Sequence, residues 1–372
     1  MKYKIAFLYL DNTYCIYHSL PIAIEMAKNN DYQIEIFASL RNKRIIDNLM
    51  ECQKSISITI NLVRGPWHYQ LPTILEIKLQ FRAYVFRKYK NTLSTFNLVV
   101  TTIYNDILLK KYLSKSSITK ILFTAHGIAN STYAFNNVIN KFDYFFIKGK
   151  KEEKIRNTLG QLQKNNFAKI GYVKLDIIKM KKINIFPNSN KTYWYNPHWN
   201  SELSSFELIS SKILDFFCKN NQLNLIFAPH SYLSKKHIFI ERHFSKYHSY
   251  SNIHLDFGSE ALADMTYAVN SDIYIGDVSS QAIEFILYKE RPMFFIDCKK
   301  IRNSSKLNIL SWELGEIVEN FQQLERKIKN PNEHFIKYKN KQKEFISDFF
   351  YTDSEFSASE LAANAISGFL SK

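Results

Sequence analysis

The sequence predicts an α/β protein of two domains, each built on a parallel β-sheet covered by helices. Its 372 residues suit two domains of roughly 150–200 residues each. Short apolar runs alternate with segments of helical spacing along most of the chain. A polar, basic stretch at residues 179–191, which contains Pro187, separates two series of such runs and is typical of a linker.

The first series of runs predicts the N-terminal domain. An apolar run, a segment of helical spacing and an alternating run follow one another at residues 4–10, 19–29 and 32–38. A strand, a helix and a strand in this order are typical of a parallel sheet. Further strands are predicted at residues 56–63, 98–102, 121–125 and 144–148.

The second series predicts the C-terminal domain. Two such sheets joined by a short linker describe the GT-B architecture, in which two Rossmann-like domains face each other across a cleft. We place the domains at residues 1–185 and 186–372, with the option that the C-terminal helix packs back on the N-terminal domain. Ligands of open α/β sheets bind beyond the carboxyl ends of the strands, so the cleft is the predicted site. Strands are predicted at residues 191–195, 223–228, 253–255, 272–275 and 292–296, and helices at residues 206–220, 261–269 and 282–288.

Composition and charge limit the possible partners. Apolar residues make up 46% of the chain and charged residues 23%, which is typical of a folded globular protein. The formal net charge of +16 indicates a polyanionic partner, which is nucleic acid, an anionic membrane or a phosphate-rich substrate. The sequence has no helix-turn-helix, zinc-finger or RNP-type motif, which argues against nucleic acid. The four cysteines form no CxxC pair and there is no Asp-x-Asp pair, so we expect no metal site.

The hydropathy pattern predicts where the protein resides. The first apolar run stops at Asp11, which is too short for a signal peptide with its cleavage site. No stretch reaches the roughly 20 apolar residues that span a bilayer. We therefore expect a cytoplasmic protein, either free or peripheral on the inner face of the cell membrane.

The basic segment at residues 64–93 predicts an amphipathic helix, whose apolar positions begin at Ile74, just after the aromatic triplet at residues 67–69. Such a helix can lie in a lipid interface, where Arg82, Arg87 and Lys88 would contact anionic headgroups. The alternative is a helix packed on the sheet, with its basic side in solvent.

Three histidines and one turn follow predicted strands, where α/β sites usually form. His126 and Gly127 follow one strand of the first series, and His198 and His230 follow two strands of the second. The turn at residues 276–280 leads from a strand into a helix that Ser279 or Ser280 would cap, and free N–H groups at a helix start favour an anion such as phosphate. The alternatives are structural histidines and an ordinary capped turn.

These segments, taken in order, resemble the CDP-glycerol glycerophosphotransferase family, the polymerases and primases of teichoic acid and capsule. The resemblance covers roughly residues 120–320. The chain departs from the family pattern at Val173, His198, Asn200, Ala228 and Val278, which leaves open the alditol phosphate that is transferred. The segments are His126-Gly127, Gly171-Tyr172-Val173-Lys174-Leu175-Asp176, Tyr195-Asn196-Pro197-His198-Trp199, Ala228-Pro229-His230, residues 271–280 and Glu284.

The resemblance implies a transferase that moves glycerol phosphate, or a related alditol phosphate, from a CDP-linked donor to a hydroxyl of a cell-envelope glycan or lipid-linked acceptor, releasing CMP. It implies no cofactor besides the donor. His126 would be the general base, and His230 would donate to the diphosphate. The resemblance assigns donor-phosphate binding to Gly127, Ser279, Ser280 and Gln281, and nucleotide binding to Gly171, Pro197, His198, Asp277 and Glu284.

Two other enzymes fit the same architecture. A GT-B glycosyltransferase of capsule or lipopolysaccharide synthesis would use a nucleotide sugar and the same phosphate-binding helix. A nucleotide-sugar 2-epimerase would need no second substrate.

Overall fold

The chain folds as two compact units. The computed structural model describes residues 2–51, 53, 55–66, 75–128, 135–163, 165–178, 184–236, 239–303 and 310–372. Unit 1 comprises Met1–Gly127, Phe135–Met180 and Asp348–Lys372, and unit 2 is chiefly Lys181–Ser347. The predicted linker lies at this division, and its residues 179–183 fall outside the described residues.

Unit 1 is built on a parallel sheet of seven strands, counted within the described residues. Their order is β3-β2-β1-β4-β5-β6-β7, and its first six positions follow the dinucleotide-binding order. Residues 5–10 are buried and form an unbroken apolar run, as expected for a strand covered by helices on both faces. The strands are β1 (Tyr3–Tyr9), β2 (Tyr32–Ala38), β3 (Thr59–Leu62), β4 (Leu98–Thr101), β5 (Lys120–Thr124), β6 (Tyr144–Ile147) and β7 (Phe167–Lys169). The helices before the linker are α1 (Tyr14–Ala27), α2 (Leu40–Met50), α3 (Leu75–Lys88), α4 (Lys90–Leu93), α5 (Lys150–Thr158) and α6 (Leu175–Ile178).

Unit 2 repeats this arrangement with six parallel strands among its described residues. Their order, β10-β9-β8-β11-β12-β13, again follows the dinucleotide-binding pattern. The two parallel sheets confirm the predicted α/β class with two Rossmann-like domains. The strands are β8 (Thr192–Asn196), β9 (Asn224–Phe227), β10 (Ile253–Leu255), β11 (Ile273–Gly276), β12 (Met293–Ile296) and β13 (Glu316–Val318). The helices are α7 (Phe206–Lys219), α8 (Ser231–Lys236), α9 (Ile240–Phe244), α10 (Thr266–Val269), α11 (Ser280–Tyr288), α12 (Phe321–Ile328) and α13 (Pro331–Phe349).

The final helix, α14 (Ala358–Leu370), belongs to unit 1. Ser357 and Glu360 form a capping box at its start, which satisfies backbone N–H groups that would otherwise lack partners. The Phe369 ring stacks on Tyr144 of β6 with ring centroids 4.5 Å apart. The Tyr32 hydroxyl donates to Ser367 Oγ at 2.8 Å, so polar and apolar contacts together hold α14 in unit 1.

Some observed elements differ from the predicted ones: α1 begins at Tyr14 and not at residue 19, and α2 and α5 were not predicted. The prediction missed β7 and β13, which have three residues each and therefore give too short a pattern to detect. Residues 261–269 were predicted as one helix, and this is wrong. Met265 has a φ of 67° and breaks the segment, so that only the four-residue α10 follows it.

The basic segment at residues 64–93 contributes α3 and α4 to unit 1. For Arg82 the predicted lipid contact is wrong, because its side chain is buried and forms ion pairs with Asp11 and Asp106. Arg87 and Lys88, in the last turn of α3, are exposed. The aromatic triplet at residues 67–69 lies outside the described residues. Among the described helices, none combines the length and the apolar character that crossing a bilayer requires.

Replacing Arg82 by Met should lower the free energy of unfolding by about 3–5 kcal/mol, because Asp11 and Asp106 would be left without their counter-charge. Arg87→Met removes the same charge from an exposed position of the same helix and should change stability by less than about 0.5 kcal/mol. Urea denaturation followed by circular dichroism measures both. Equal effects of the two substitutions would contradict a structural role for the buried ion pairs.

Candidate functional site

His126 lies just beyond the carboxyl end of β5, in unit 1. Its Nδ1 is 2.9 Å from the carbonyl oxygen of Thr102, which follows the neighbouring strand β4. A carbonyl can only accept a hydrogen bond, so Nδ1 carries the proton in this contact. In the neutral ring the lone pair therefore resides on Nε2. The backbone of one strand end thus fixes which nitrogen of His126 can take up a proton.

The His126 ring is neutral near pH 7, because its pKa is lowered although part of the residue is exposed. Desolvation lowers its pKa below the usual 6.5, and the nearby cation Lys148 lowers it further. The Thr102 carbonyl acts in the opposite direction, because it stabilises the charged ring, but it does not compensate. A neutral imidazole is the form that acts as a general base.

A second histidine, which the sequence analysis did not identify, supports the His126 turn. His18 is buried in α1, and its Nε2 accepts a hydrogen bond from Gly127 N at 3.4 Å. The ring centroids of His18 and His126 are 6.5 Å apart. Gly127 has a φ of 74°, a left-handed conformation that favours glycine. Burial lowers the pKa of His18 well below its usual value, so this ring is neutral as well.

A narrow cavity, which we call the Lys148 cavity, opens at this edge of the unit 1 sheet. Gly171, predicted to bind nucleotide, is one of its lining residues. Gly171 has a φ of 81°, and a Cβ there would lie 2.3 Å from the carbonyl oxygen of Tyr351. This close approach is a structural reason for glycine at the position. The cavity is lined by His18, residues 124–125, residues 146–148 and residues 170–173.

In unit 2, the turn between β11 and α11 has the geometry of an anion site. The Oγ of Ser279 accepts from Ala282 N at 3.2 Å, which makes Ser279 the N-cap of α11. Ser279 and Ser280 are both partly exposed. The first backbone N–H groups of a helix have no intrahelical acceptor, and the helix dipole adds partial positive charge at this end. The turn can therefore bind a phosphate group.

Two residues, Gly276 and Asp277, hold this turn against the end of β8. A Cβ at Gly276 would lie 2.6 Å from the carbonyl oxygen of Asn196, so only glycine allows the two strand ends to approach. Asp277 is buried, and its Oδ2 accepts from His198 N at 2.7 Å and from Ser205 N at 2.9 Å. Asp277, predicted to bind nucleotide, thus ties down the loop that carries His198.

The Asp277 carboxyl group is a weak acid in the folded protein. Burial raises its pKa from 3.8 to about 7, although the two backbone hydrogen bonds favour the charged form. Its Oδ1 has no hydrogen-bond partner among the described residues. Asp277 therefore changes its charge close to neutral pH, directly behind the turn.

Four rings form a cluster after β8 and β9, which we call the aromatic cluster: His198, Trp199, His230 and Tyr232. The centroids of His198 and His230 are 6.1 Å apart, and His198 stacks on Trp199 at 5.5 Å. Trp199 is 47% exposed, so the cluster presents an open face on which a planar ligand can stack. Pro197 joins the two strand ends, because its carbonyl accepts from His230 N at 3.1 Å.

The two imidazoles of the aromatic cluster have defined hydrogen bonds. His198 Nδ1 accepts from Asn200 N at 3.0 Å, and His230 Nδ1 accepts from Tyr232 N at 3.2 Å. In each neutral ring the proton therefore resides on Nε2, which can donate to an oxygen. Burial lowers the pKa of His198 to about 4, so this ring stays neutral at physiological pH.

The remaining predicted residues lie on α11. Gln281 Nε2 donates to the Leu262 carbonyl at 2.7 Å, while its Oε1 has no partner within the described part of the chain. Glu284 is buried. Both side chains face the interior of unit 2 more than solvent.

The structure thus places the predicted residues in two sets. His126, Gly127 and Gly171 belong to unit 1, and the other predicted residues belong to unit 2. The sequence analysis missed His18 and Lys148. Lys148 carried a detectable signal, since it is a lysine that directly follows the apolar strand β6. His18 carried none, because it lies within a helix and outside any motif.

The two Rossmann-ordered sheets define a protein of the GT-B fold class, with a histidine after a strand of the first sheet and an anion-binding helix start in the second. The model of the CDP-glycerol:poly(glycerophosphate) glycerophosphotransferase family matches residues 22–366. The chain therefore belongs to this family, which confirms the resemblance found in its motifs.

Solved structures show the same fold at low sequence identity. The wall teichoic acid polymerase TagF is 16% identical, with a TM-score of 0.66, and the match covers 99% of this chain and 88% of that chain. S. aureus MnaA in complex with UDP is 14% identical, with a TM-score of 0.67, over 100% of this chain and 97% of that chain. UDP-GlcNAc 2-epimerase from Neisseria meningitidis, bound to UDP-GlcNAc, is 12% identical, with a TM-score of 0.62, over 98% of this chain and 100% of that chain. No curated protein matches the chain in sequence.

Asp277→Asn should remove a pH-dependent loss of stability. Below about pH 4 the carboxyl group is protonated in the folded and the unfolded chain, and it contributes nothing. Between about pH 4 and 7 the unfolded carboxyl ionises while the buried one keeps its proton, so wild-type stability should fall relative to the variant. A gap of about three pKa units corresponds to about 4 kcal/mol, and the difference should level off above pH 7.

Denaturant unfolding at several pH values measures this difference. Asp272→Asn is the matched control, because it alters an exposed carboxylate at the other end of β11 and should leave the slope in place. A wild-type slope that Asp277→Asn does not change would contradict the raised pKa of Asp277.

Proposed function

We propose that the protein transfers glycerol phosphate, or a related alditol phosphate, from a CDP-linked donor to a hydroxyl of a cell-envelope acceptor and releases CMP. Membership of the glycerophosphotransferase family supports this reaction. The observation that carries the proposal is the hydrogen bond from His126 Nδ1 to the Thr102 carbonyl, which leaves Nε2 as the basic nitrogen. Likeness to a wall teichoic acid polymerase supports a teichoic-acid-type acceptor.

In the proposed reaction, the acceptor hydroxyl attacks the donor phosphorus that bears the alditol. A new phosphorus–oxygen bond forms, the bond to the CMP oxygen breaks, and CMP leaves with the electron pair. His126 Nε2 takes the proton of the attacking hydroxyl. General-base help of this kind typically contributes 10²–10⁴-fold.

Unit 2 would bind the donor. The first N–H groups of α11, with Ser279 and Ser280, would hold the diphosphate, which is the charge that a helix start favours. His230 Nε2 would donate to a diphosphate oxygen, and the open face of the aromatic cluster would stack on the cytosine. Asp277 would act indirectly, since it holds the loop that carries His198. The proposal includes no cofactor besides the donor.

The acceptor would be lipid-linked or polymeric, and the protein would work in the cytoplasm at the inner membrane face. Arg87 and Lys88 are exposed at the end of α3 and would attract anionic lipid. Arg82 has no part in this contact, because it is buried.

A nucleotide sugar is the second candidate donor. It is favoured by one observation, that the fold is shared with proteins whose structures contain UDP or UDP-GlcNAc. The candidates differ in the nucleotide that is released.

Incubation with CDP-glycerol and a glycerol phosphate acceptor should release CMP, whereas UDP-sugars should release no UDP. His126→Ala should lower the rate of CMP release by about 10²–10⁴-fold, because the proton acceptor is lost. His243→Ala, which removes an exposed histidine of unit 2, is the matched control and should retain wild-type turnover. Chromatography of the released nucleotides measures turnover by the wild type and both variants. Release of UDP alone would show that the donor is a nucleotide sugar.

The pH profile of kcat/KM should fall on the acid side with an apparent pKa below 6.5. The sign follows from the role of His126, since a general base is inactive when protonated and its pKa is lowered here. Initial rates of CMP release between pH 5 and 8 measure the profile. An acid limb above pH 6.5 would contradict His126 as the base.

A further inference from the structure

Thr101 is a buried residue at the carboxyl end of β4, and the proposed reaction gives its hydroxyl group no role. Its Oγ1 accepts a hydrogen bond from the backbone N of Ile103 at 3.1 Å, so the side chain closes a small turn around Thr102. The carbonyl of Thr102 is the group that contacts His126 Nδ1 at 2.9 Å. Thr101 therefore lies directly behind the contact that determines the basic nitrogen of His126.

The turn sets the direction of the Thr102 carbonyl through one peptide unit. The Thr102 carbonyl and the Ile103 N–H belong to the same planar, trans unit, in which the two groups point in opposite directions. Because Thr101 Oγ1 holds the N–H, the carbonyl points away from Thr101 and meets His126 Nδ1. A rotation of this peptide unit would break both hydrogen bonds together.

An acid and a guanidinium group hold the Thr101 hydroxyl in this orientation. Thr101 Oγ1 donates to Asp106 Oδ2, which leaves an oxygen lone pair for Ile103 N. Asp106 Oδ1 accepts from Arg82 Nη1, and Arg82 Nη2 donates to Asp11. Thr101, Asp106 and Arg82 are buried. We call Thr101, Asp106, Arg82 and Asp11 the Arg82 network.

Stability alone does not account for the Arg82 network. Burying charges costs free energy that their attraction only partly returns, and apolar side chains of similar volume often give equal or greater stability. The network instead provides a fixed geometry. The planar guanidinium of Arg82 contacts two carboxylates, and the Asp106 carboxylate in turn orients one hydroxyl group.

We propose that Thr101, held by the Arg82 network, is a positioning residue that keeps His126 in the tautomer with Nδ1 protonated and the lone pair on Nε2. This inference rests on the proposed function, because Nε2 is the atom that would take the proton of the acceptor hydroxyl. A neutral imidazole carries its proton on either nitrogen, and the hydrogen bond of one nitrogen decides which. Without a directed Thr102 carbonyl, Nε2 would be protonated for part of the time and could not act as a base.

NMR of protein labelled with isotopic nitrogen in its histidine rings shows the tautomer without any substrate. At neutral pH the wild-type His126 ring should have a protonated Nδ1 and an unprotonated Nε2, and its signals are identified by their absence from His126→Gln. Thr101→Val keeps the shape of the side chain and removes the hydroxyl group, so both ring nitrogens should shift towards a mixture of tautomers. Thr101→Ser keeps the hydroxyl group and should give the wild-type spectrum.

Thr119→Val is the matched control. Thr119 is also a buried threonine of unit 1, and its Oγ1 donates to the Phe96 carbonyl at 2.7 Å, but it precedes β5 and so lies at the opposite edge of the sheet from His126. The substitution should leave the His126 spectrum unchanged. Thermal unfolding shows whether each variant folds, and Thr101→Ala removes the same hydroxyl group with a smaller side chain if Thr101→Val does not.

Turnover should follow the tautomer. Thr101→Val should lower kcat for CMP release by about tenfold, because the base is misdirected, and should leave the KM for CDP-glycerol unchanged. Thr101→Ser and Thr119→Val should keep the wild-type kcat.

A wild-type His126 ring with Nε2 protonated would overturn the proposal, as would a wild-type tautomer in Thr101→Val or Thr101→Ala. Equal losses of kcat in Thr101→Val and Thr119→Val would overturn it as well, since they would reflect stability alone. A tautomer that depends on Thr101, in a protein that releases no CMP from CDP-glycerol, would support the positioning of His126 while contradicting the proposed function.

Discussion

The parallel arrangement of the strands is the constraint on which both sets of candidate residues depend. In a parallel sheet the carboxyl ends of all strands lie at the same edge. Residues that are far apart in sequence therefore come close together there. In unit 2, Pro197 and Asp277 follow β8 and β11, the pair at which the strand order reverses. Because residue 276 is glycine, the ends of β8 and β11 can approach each other closely, and Asp277 can then bind the backbone of the loop after β8. In unit 1 the same edge brings Thr102, His126 and Lys148 together.

Exclusion of water then sets the chemistry of the titratable groups. The pKa values of His18, His126 and His198 are lowered and that of Asp277 is raised, and burial is the largest cause in each case. Burial favours the neutral form of acids and bases alike. The backbone contacts decide which nitrogen carries the proton, with Nδ1 protonated in His126 and Nε2 in His230. A base and a donor are thus distinguished by the carbonyl or N–H that each ring contacts.

The fold could be predicted from the sequence because parallel strands covered on both faces leave unbroken apolar runs. The features that the sequence did not predict have physical causes. Arg82 has the sequence spacing of a solvated cation, and only the folded chain brings Asp11 and Asp106 to it. The role of His126 followed from its place after a strand, but its partner His18 comes from α1, more than a hundred residues earlier. The Asp277 side chain likewise contacts the loop at Ser205, which is more than seventy residues away in sequence. The local pattern of residues 271–280 could not predict this contact.

The membership of α14 in unit 1 has a consequence for the order of folding during synthesis. A chain emerging from the ribosome presents most of unit 1 first, then Lys181–Ser347, which is the main segment of unit 2, and only then the helix that covers α1 and β6. Apart from the short segment Ile128–Ala134, unit 2 is one continuous stretch and can reach its native state during translation, whereas unit 1 must wait for its last helix with an apolar face uncovered. The unit that carries His126 and Lys148 is therefore the later of the two to mature, and a nascent chain is expected to engage chaperones through that face.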